Sequence, residues 1–238
     1  MADFSKIYQH GILAQIMDGQ YDGTTTVGNL LTHGDFGIGT TTGIGVELIV
    51  LDGKAYGIPS SGKVRLLDLQ TDKVPFATVN FFDKQLPKET LTDMTSAAFE
   101  KHAVEHGALQ NVFTAVRLHG EFTDVLARSA DQQQKPYPPF ATVAASQHEF
   151  HADKLQATIL GYYTPSVYEG AAAAGFHLHI LADDHSFGGH LLYFHIKQAD
   201  LQLQVFDDFQ LHLPTSNKIF RDRQLDLPTL KAAMRKTE

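Results

Sequence analysis

The chain has 238 residues, 43% of them hydrophobic, and a formal charge of -8 with thirteen histidines and no cysteine. That length fills a core for one large domain or two small ones, and scattered lysines and arginines give no basic footprint for nucleic acid or anionic lipid. Without cysteine there is no disulfide, no thiolate metal site and no thiol nucleophile, so any metal is held by nitrogen and oxygen.

In chain order, Ile7, Ile12, Ile16 and Met17 recur at near-helical intervals before Gly19 and predict a helix over residues 5–19. Residues 34–45, GDFGIGTTTGIG, read as a glycine-rich loop running into a strand at Val46-Glu-Leu-Ile-Val-Leu, with Asp52-Gly53 as a hairpin turn. A dinucleotide-binding loop is rejected, because Thr42 stands where its third glycine belongs and a strand, not a helix, follows. Phe76 opens another strand, and residues 93–106, with Ala97, Phe99, Ala103 and Val104 before Gly107, predict a helix with a glycine stop. Asn111 to Leu118 alternates, and His119-Gly120 predicts a turn before the pattern resumes to Leu126. Pro136, Pro138 and Pro139 mark a connection, after which 155–163, 176–182 and 190–206 read as strands, the last with a turn near Gln198-Ala-Asp. From Arg221 on, Leu227, Leu230, Ala233 and Met234 have rough helical spacing. The sum is an α+β protein with mixed and antiparallel sheets in two packed halves and a few helices. Residues 1–135 form an α/β half with a mixed sheet, and 136–238 a mainly antiparallel half, joined as one continuous unit.

The chemistry concentrates in Gly175-Phe-His177-Leu-His179-Ile-Leu. Two positions apart on a strand, both imidazoles project from one face, while Phe176, Leu178 and Ile180 project from the other. A turn through Ser186-Phe-Gly188-Gly189 then leads to His190, where an antiparallel neighbour brings a third nitrogen within reach. An isolated His-x-His is more often a pair of surface residues; the third histidine favours a metal centre with open positions, as in catalytic rather than structural zinc sites. His195 lies on the opposite strand face from His190, and His185 sits in the turn. Three imidazoles accept zinc, manganese, cobalt, nickel or iron. A cupin-like dioxygenase or isomerase using the same histidines is the alternative, with Asp183 where the cupin glutamate stands, although the proline and glycine pattern before a cupin's last histidine is missing. A metabolite-binding sheet protein with decorative histidines ranks below both.

GFHLHIL followed by SFGGH, GDFGIGT followed by VELI, LAR followed by QKPYPP, and GYYTP resemble, over nearly the whole chain and in order, the motifs of bacterial acetolactate decarboxylases. The resemblance implies decarboxylation of 2-acetolactate to acetoin with zinc in the site. It places the metal ligands at His177, His179 and His190, the active-site glutamate at Glu47, the arginine at Arg128, a threonine at Thr40, and a C-terminal glutamate at Glu238. By pattern alone Glu47 is an ordinary strand residue beside Ile49 and Leu51, and Arg117 is as conspicuous as Arg128. The mechanism expected from that resemblance has the metal act as a Lewis acid on the ketone and hydroxyl oxygens and stabilise the enediolate. Arg128 clamps the carboxylate, and Glu47 or Arg128 returns the proton. A small-molecule substrate, no nucleic acid, no membrane, a homodimer and a cytoplasmic location complete the expectation.

Overall fold

The computed structural model describes residues 2–226, 228–230 and 232. Strand β1 (Lys6–His10) is followed by the short helix α1 (Leu13–Met17), β2 (Thr25–Thr26) and α2 (Val27–Leu30). Then come β3 (Phe36–Thr40), β4 (Glu47–Leu51), β5 (Lys54–Ile58), β6 (Arg65–Leu66), β7 (Lys73–Val74) and β8 (Phe76–Asn80). β9 (Glu89–Thr95) leads into α3 (Ser96–Gly107), which Thr95 caps by accepting the Ala98 N–H through its hydroxyl at 3.3 Å. The chain continues through β10 (Thr114–Ser129), α4 (Phe140–Ala144), β11 (His148–Thr164), β12 (Gly175–Ala182), β13 (Gly188–Val205), β14 (Asp208–His212) and α5 (Lys218–Asp222).

The α+β expectation holds: strands in two main sheets, with few helices. The first sheet has the order β14-β1-β8-β3-β4-β5-β6 and is mixed, because β1 and β14 run parallel. The second, β10-β11-β12-β13-β9, is antiparallel, and β10 also pairs with β13, so β10, β11, β12 and β13 close on themselves. The sheets do not divide at residue 135. β9 and β10 belong to the second sheet, and β14 returns to the first.

Five local expectations are corrected. Residues 6–10 are a strand, and only 13–17 are helical. Ile7 packs with Phe36 and Ile38 on one face of β1 and Tyr8 with Val27 and Leu30 on the other, so both faces are buried and the spacing of Ile7 to Ile12 carries no helical meaning. The glycine-rich segment contains the fully buried strand β3 rather than being a loop throughout. Neither His119-Gly120 nor Gln198-Ala-Asp turns; both lie within long strands that face each other. Gly120 is there for close approach, since a Cβ on it would meet the Gln198 carbonyl oxygen at 2.2 Å. The reversal before His190 also falls earlier than expected, at Asp183 to Ser186, and Gly188 already belongs to β13.

Alternation sorts the side chains into layers. On β4, Leu48 and Val50 pack outward with Val27 and Leu30 of α2. Ile49 points the other way and joins Ile38 and Ile58 against Ala115, Leu160 and Leu181 of the second sheet. Each such fully buried aliphatic side chain contributes about 1.5–3 kcal/mol. The far face of the second sheet, with Leu178 and Ile180 of β12, packs under Phe99 and Ala103 of α3. Whatever shares a strand face with Ile49 or Leu181 is therefore directed into the space between the sheets. Glu47, His177 and His179 all meet that condition.

Candidate metal centre

Strand register assembles the site. His190 of β13 stands opposite His179 of β12 on one side and opposite Arg128 of β10 on the other. His177 lies two residues from His179 on the same face. β11 closes against β12 because residue 161 is glycine; a Cβ there would meet the His177 carbonyl oxygen at 2.0 Å. From the first sheet, Thr40 and Glu47 are directly paired across β3 and β4 and present their side chains to the same face.

One ligating nitrogen from each of His177, His179 and His190 lies within 4.8 Å of the others. His179 is 1% exposed, and its Nδ1–H donates to the Leu48 carbonyl at 3.1 Å, bridging the sheets. That bond fixes the tautomer and leaves the lone pair on Nε2. This Nε2 is buried, has no hydrogen-bond partner, and stands 3.4 Å from Glu47 Oε2. Burial pushes the His179 and His190 imidazoles well below the ordinary histidine range, helped by the charge of His177, so both favour the neutral, ligating form. Burial likewise pushes the Glu47 carboxyl up to about 8, against the opposing pull of Arg128. Three convergent imidazoles, two of them held neutral, an orphaned buried nitrogen and an adjacent carboxyl fit a divalent cation that accepts nitrogen and oxygen donors.

The cavity beside these groups is lined by Thr40, Glu47, Arg128, His177 and His190, and walled by apolar side chains that include Leu13, Ile16, Met17 and Phe140. The sequence-expected residues therefore converge, apart from Glu238, which lies outside the described residues. Thr40 is buried, and its hydroxyl donates to the Val46 carbonyl at 2.9 Å, bracing the loop that delivers Glu47. Arg117 is elsewhere, bonded to Gln202 at 3.1 Å. His195 pairs with Asp93 at 3.0 Å, and His185 lies in the turn against Tyr56. Asp183 is engaged by His119 at 3.1 Å, which leaves a cupin-like arrangement without its carboxylate. No sequence pattern marks Gln147, which also lines the cavity, or the α1 wall, because neither follows from strand alternation. A larger cleft of about 570 Å³ lies among Tyr21, Tyr137 and Lys135. Its carboxylates Asp18 and Asp22 are held by Arg223 and Lys135, each at 2.7 Å, and among the described residues no metal donor set converges there.

Known proteins resemble this chain over nearly its whole length. The sequence profile described as alpha-acetolactate decarboxylase matches residues 7–227. The alpha-acetolactate decarboxylase of Streptococcus thermophilus is 33% identical over 240 residues, covering 100% of both chains. That of Lactococcus lactis subsp. cremoris is 33% identical over 97% of each. The crystal structure of the Bacillus subtilis strain 168 alpha-acetolactate decarboxylase superposes with a TM-score of 0.94 at 31% identity, covering 98% of this chain and 99% of that one. With sequence, fold and the length of the match in accord, the chain belongs to the alpha-acetolactate decarboxylase family.

Proposed function

We propose that the chain decarboxylates 2-acetolactate to acetoin and carbon dioxide in the cavity between its sheets, with zinc held by His177, His179 and His190. The observation that carries this reading is the orphaned Nε2 of His179, fixed toward two further imidazoles and Glu47 in a chain of this family. When bound, the metal supplies Lewis acidity, drawing electron density from the ketone and hydroxyl oxygens of the substrate.

The protein's own groups do the rest. Arg128, whose guanidinium stays protonated, orients the departing carboxylate and holds it against the opposing cavity wall. As the bond from C2 to the carboxylate breaks, its electron pair passes into the adjacent ketone, and the resulting enediolate takes a proton at C2. Glu47 is the group placed to move that proton, because its carboxyl lies in the cavity beside the histidines and the β4 backbone fixes the face from which it acts. The apolar wall from α1 and Phe140 excludes water and strengthens each of these charge interactions. Glu238 is part of the proposal as a further carboxylate at the metal. Its support is Leu230, eight positions earlier in the sequence, which is buried in the cluster of Leu13, Ile16 and Met17 that walls the cavity. A homodimer in the cytoplasm belongs to the same reading. Among the described residues, no helix is long and apolar enough to cross a membrane.

The experiment is an acetolactate assay with metal analysis on the same sample. Acetoin and carbon dioxide should form in equal amounts, stop after chelation, and resume when zinc is returned. A metal-replete protein that leaves acetolactate untouched would refute the proposal, and oxygen uptake with iron would favour the cupin-like chemistry. Sedimentation of that sample reads the dimer.

A further inference from the structure

Gln147 lies between α4 and β11, one residue before the His148 that pairs with Ser129, and its side chain lines the cavity with Glu47, Arg128, His177 and His190. Its carboxamide oxygen Oε1 is shut off from solvent and has no hydrogen-bond partner. A buried acceptor left unmatched costs about 1–3 kcal/mol, so such an atom in a folded protein calls for an explanation. Other polar atoms of the same site are matched within the fold: Thr40 Oγ1 donates to Val46, and His179 Nδ1 to Leu48. Two acceptor atoms of the site are left without a donor in the fold. One is His179 Nε2, which is accounted for by a metal, and the other is Gln147 Oε1, which is not.

A carboxamide oxygen only accepts, so it calls for a donor. Of the polar groups on the substrate proposed above, the carboxylate and the ketone have only acceptor oxygens. The tertiary hydroxyl at C2 is the one donor. We infer that Gln147 is a substrate-binding residue whose Oε1 accepts the hydrogen bond of the substrate's 2-hydroxyl, making the site selective for 2-hydroxy acids over their deoxy analogues. This rests on the decarboxylase reading and deepens it. With the hydroxyl held by Gln147 and the carboxylate by Arg128, two of the four substituents on C2 are fixed, which sets the direction in which the carboxylate leaves. A pocket that matches a hydroxyl with a buried polar group rejects the analogue lacking it far more strongly than an apolar pocket does, because the protein atom is then left unpaired.

The test uses two matched inhibitors, 2-hydroxy-2-methylbutanoate and 2-methylbutanoate, against the zinc-loaded enzyme and its Gln147→Met variant. Methionine keeps the length of the side chain and removes the acceptor. The expected result is that the wild type prefers the hydroxylated inhibitor and that Gln147→Met shrinks this preference about tenfold. The Ki of 2-methylbutanoate should shift little, zinc content should hold, and KM for acetolactate should rise by a larger factor than kcat falls. Thermal stability should not drop, since an unmatched buried oxygen costs folding stability rather than adding to it; a merely structural glutamine would lower Tm on substitution and leave the inhibitor ratio alone. An unchanged ratio in an active, zinc-loaded variant overturns the inference, and Gln147→Leu provides the same measurement if the methionine variant does not fold. If the wild type produces no acetoin, the functional reading fails instead, so the two failures are separable.

Discussion

The molecule buries histidine in two places and treats it differently in each. At the edge where β1 and β14 run parallel, His10 is fully buried, with Nδ1 2.9 Å from His212 Nδ1 and Nε2 2.6 Å from Thr24 Oγ1. Both ring nitrogens are used, and the ring acts as a polar strut between strands. Between the sheets, His179 is as deeply buried but has only Nδ1 engaged, by a backbone carbonyl that turns Nε2 toward His177 and His190. Burial alone therefore does not mark a metal ligand. An unmatched nitrogen that converges with two further imidazoles supports one, because a buried polar atom without a partner calls for a group to complete it.

The sharpest way to break this comparison is to remove one histidine from each place. On the proposed reading, His179→Ala should lower bound zinc from one per chain to less than about a tenth and reduce acetoin formation by at least about a thousandfold, since a metal there would supply most of the charge stabilisation. His10→Asn should keep its full complement of metal. Elemental analysis after dialysis reads both, and a His179→Ala protein that still holds one zinc would show that the orphaned nitrogen had been misread.

Arg128→Ala probes the next level, the groups that act beside the metal. The expected loss is about 2–4 kcal/mol in kcat/KM, the size of other deletions of a charge that meets a developing transition state. Zinc content should be unaffected, which separates this variant from the histidine one. Arg117→Ala is the control, because that residue bonds to Gln202 away from the cavity. Equal losses in the two arginine variants would remove the assigned role of Arg128.

The same comparison explains what could be read in the sequence. Alternation on a strand placed His177 and His179 on one face, and Glu47 with Ile49, since a period of two needs no tertiary information. Sequence spacing could not show that His190 stands opposite both His179 and Arg128, because that depends on β10 pairing with two neighbours at once. The choice of Arg128 over Arg117 came only from the family resemblance. Gly120 was misread as a turn for a related reason: glycine signals both a reversal and a close approach, and only the facing strand decides between them. β1 escaped notice because a strand buried on both faces has no alternation to display. The His10–His212 contact, 202 positions apart, has no local signature at all.

The smallest effect expected is on stability, and it tests the strut itself. Burial, with the neighbouring His212, pushes His10 down to about 4 from the usual 6.5. The unfolded chain therefore takes up a proton at a higher pH than the folded one does. Above about pH 6.5 both states are neutral at this position and the stability is intact. Between 6.5 and 4 only the unfolded state gains the proton, and stability falls as the pH is lowered, by roughly 1–3 kcal/mol over the window. His33, stacked on Tyr8 and lowered by its own burial and by the charges of His212 and Lys6, acts in the same direction. Urea unfolding at several pH values should show wild-type stability sloping through this window and His10→Asn sloping less, with the two curves converging toward low pH. Parallel curves would mean that His10 is protonated in the folded protein as readily as in the unfolded chain. The contrast with the metal-binding histidines would then rest on geometry alone.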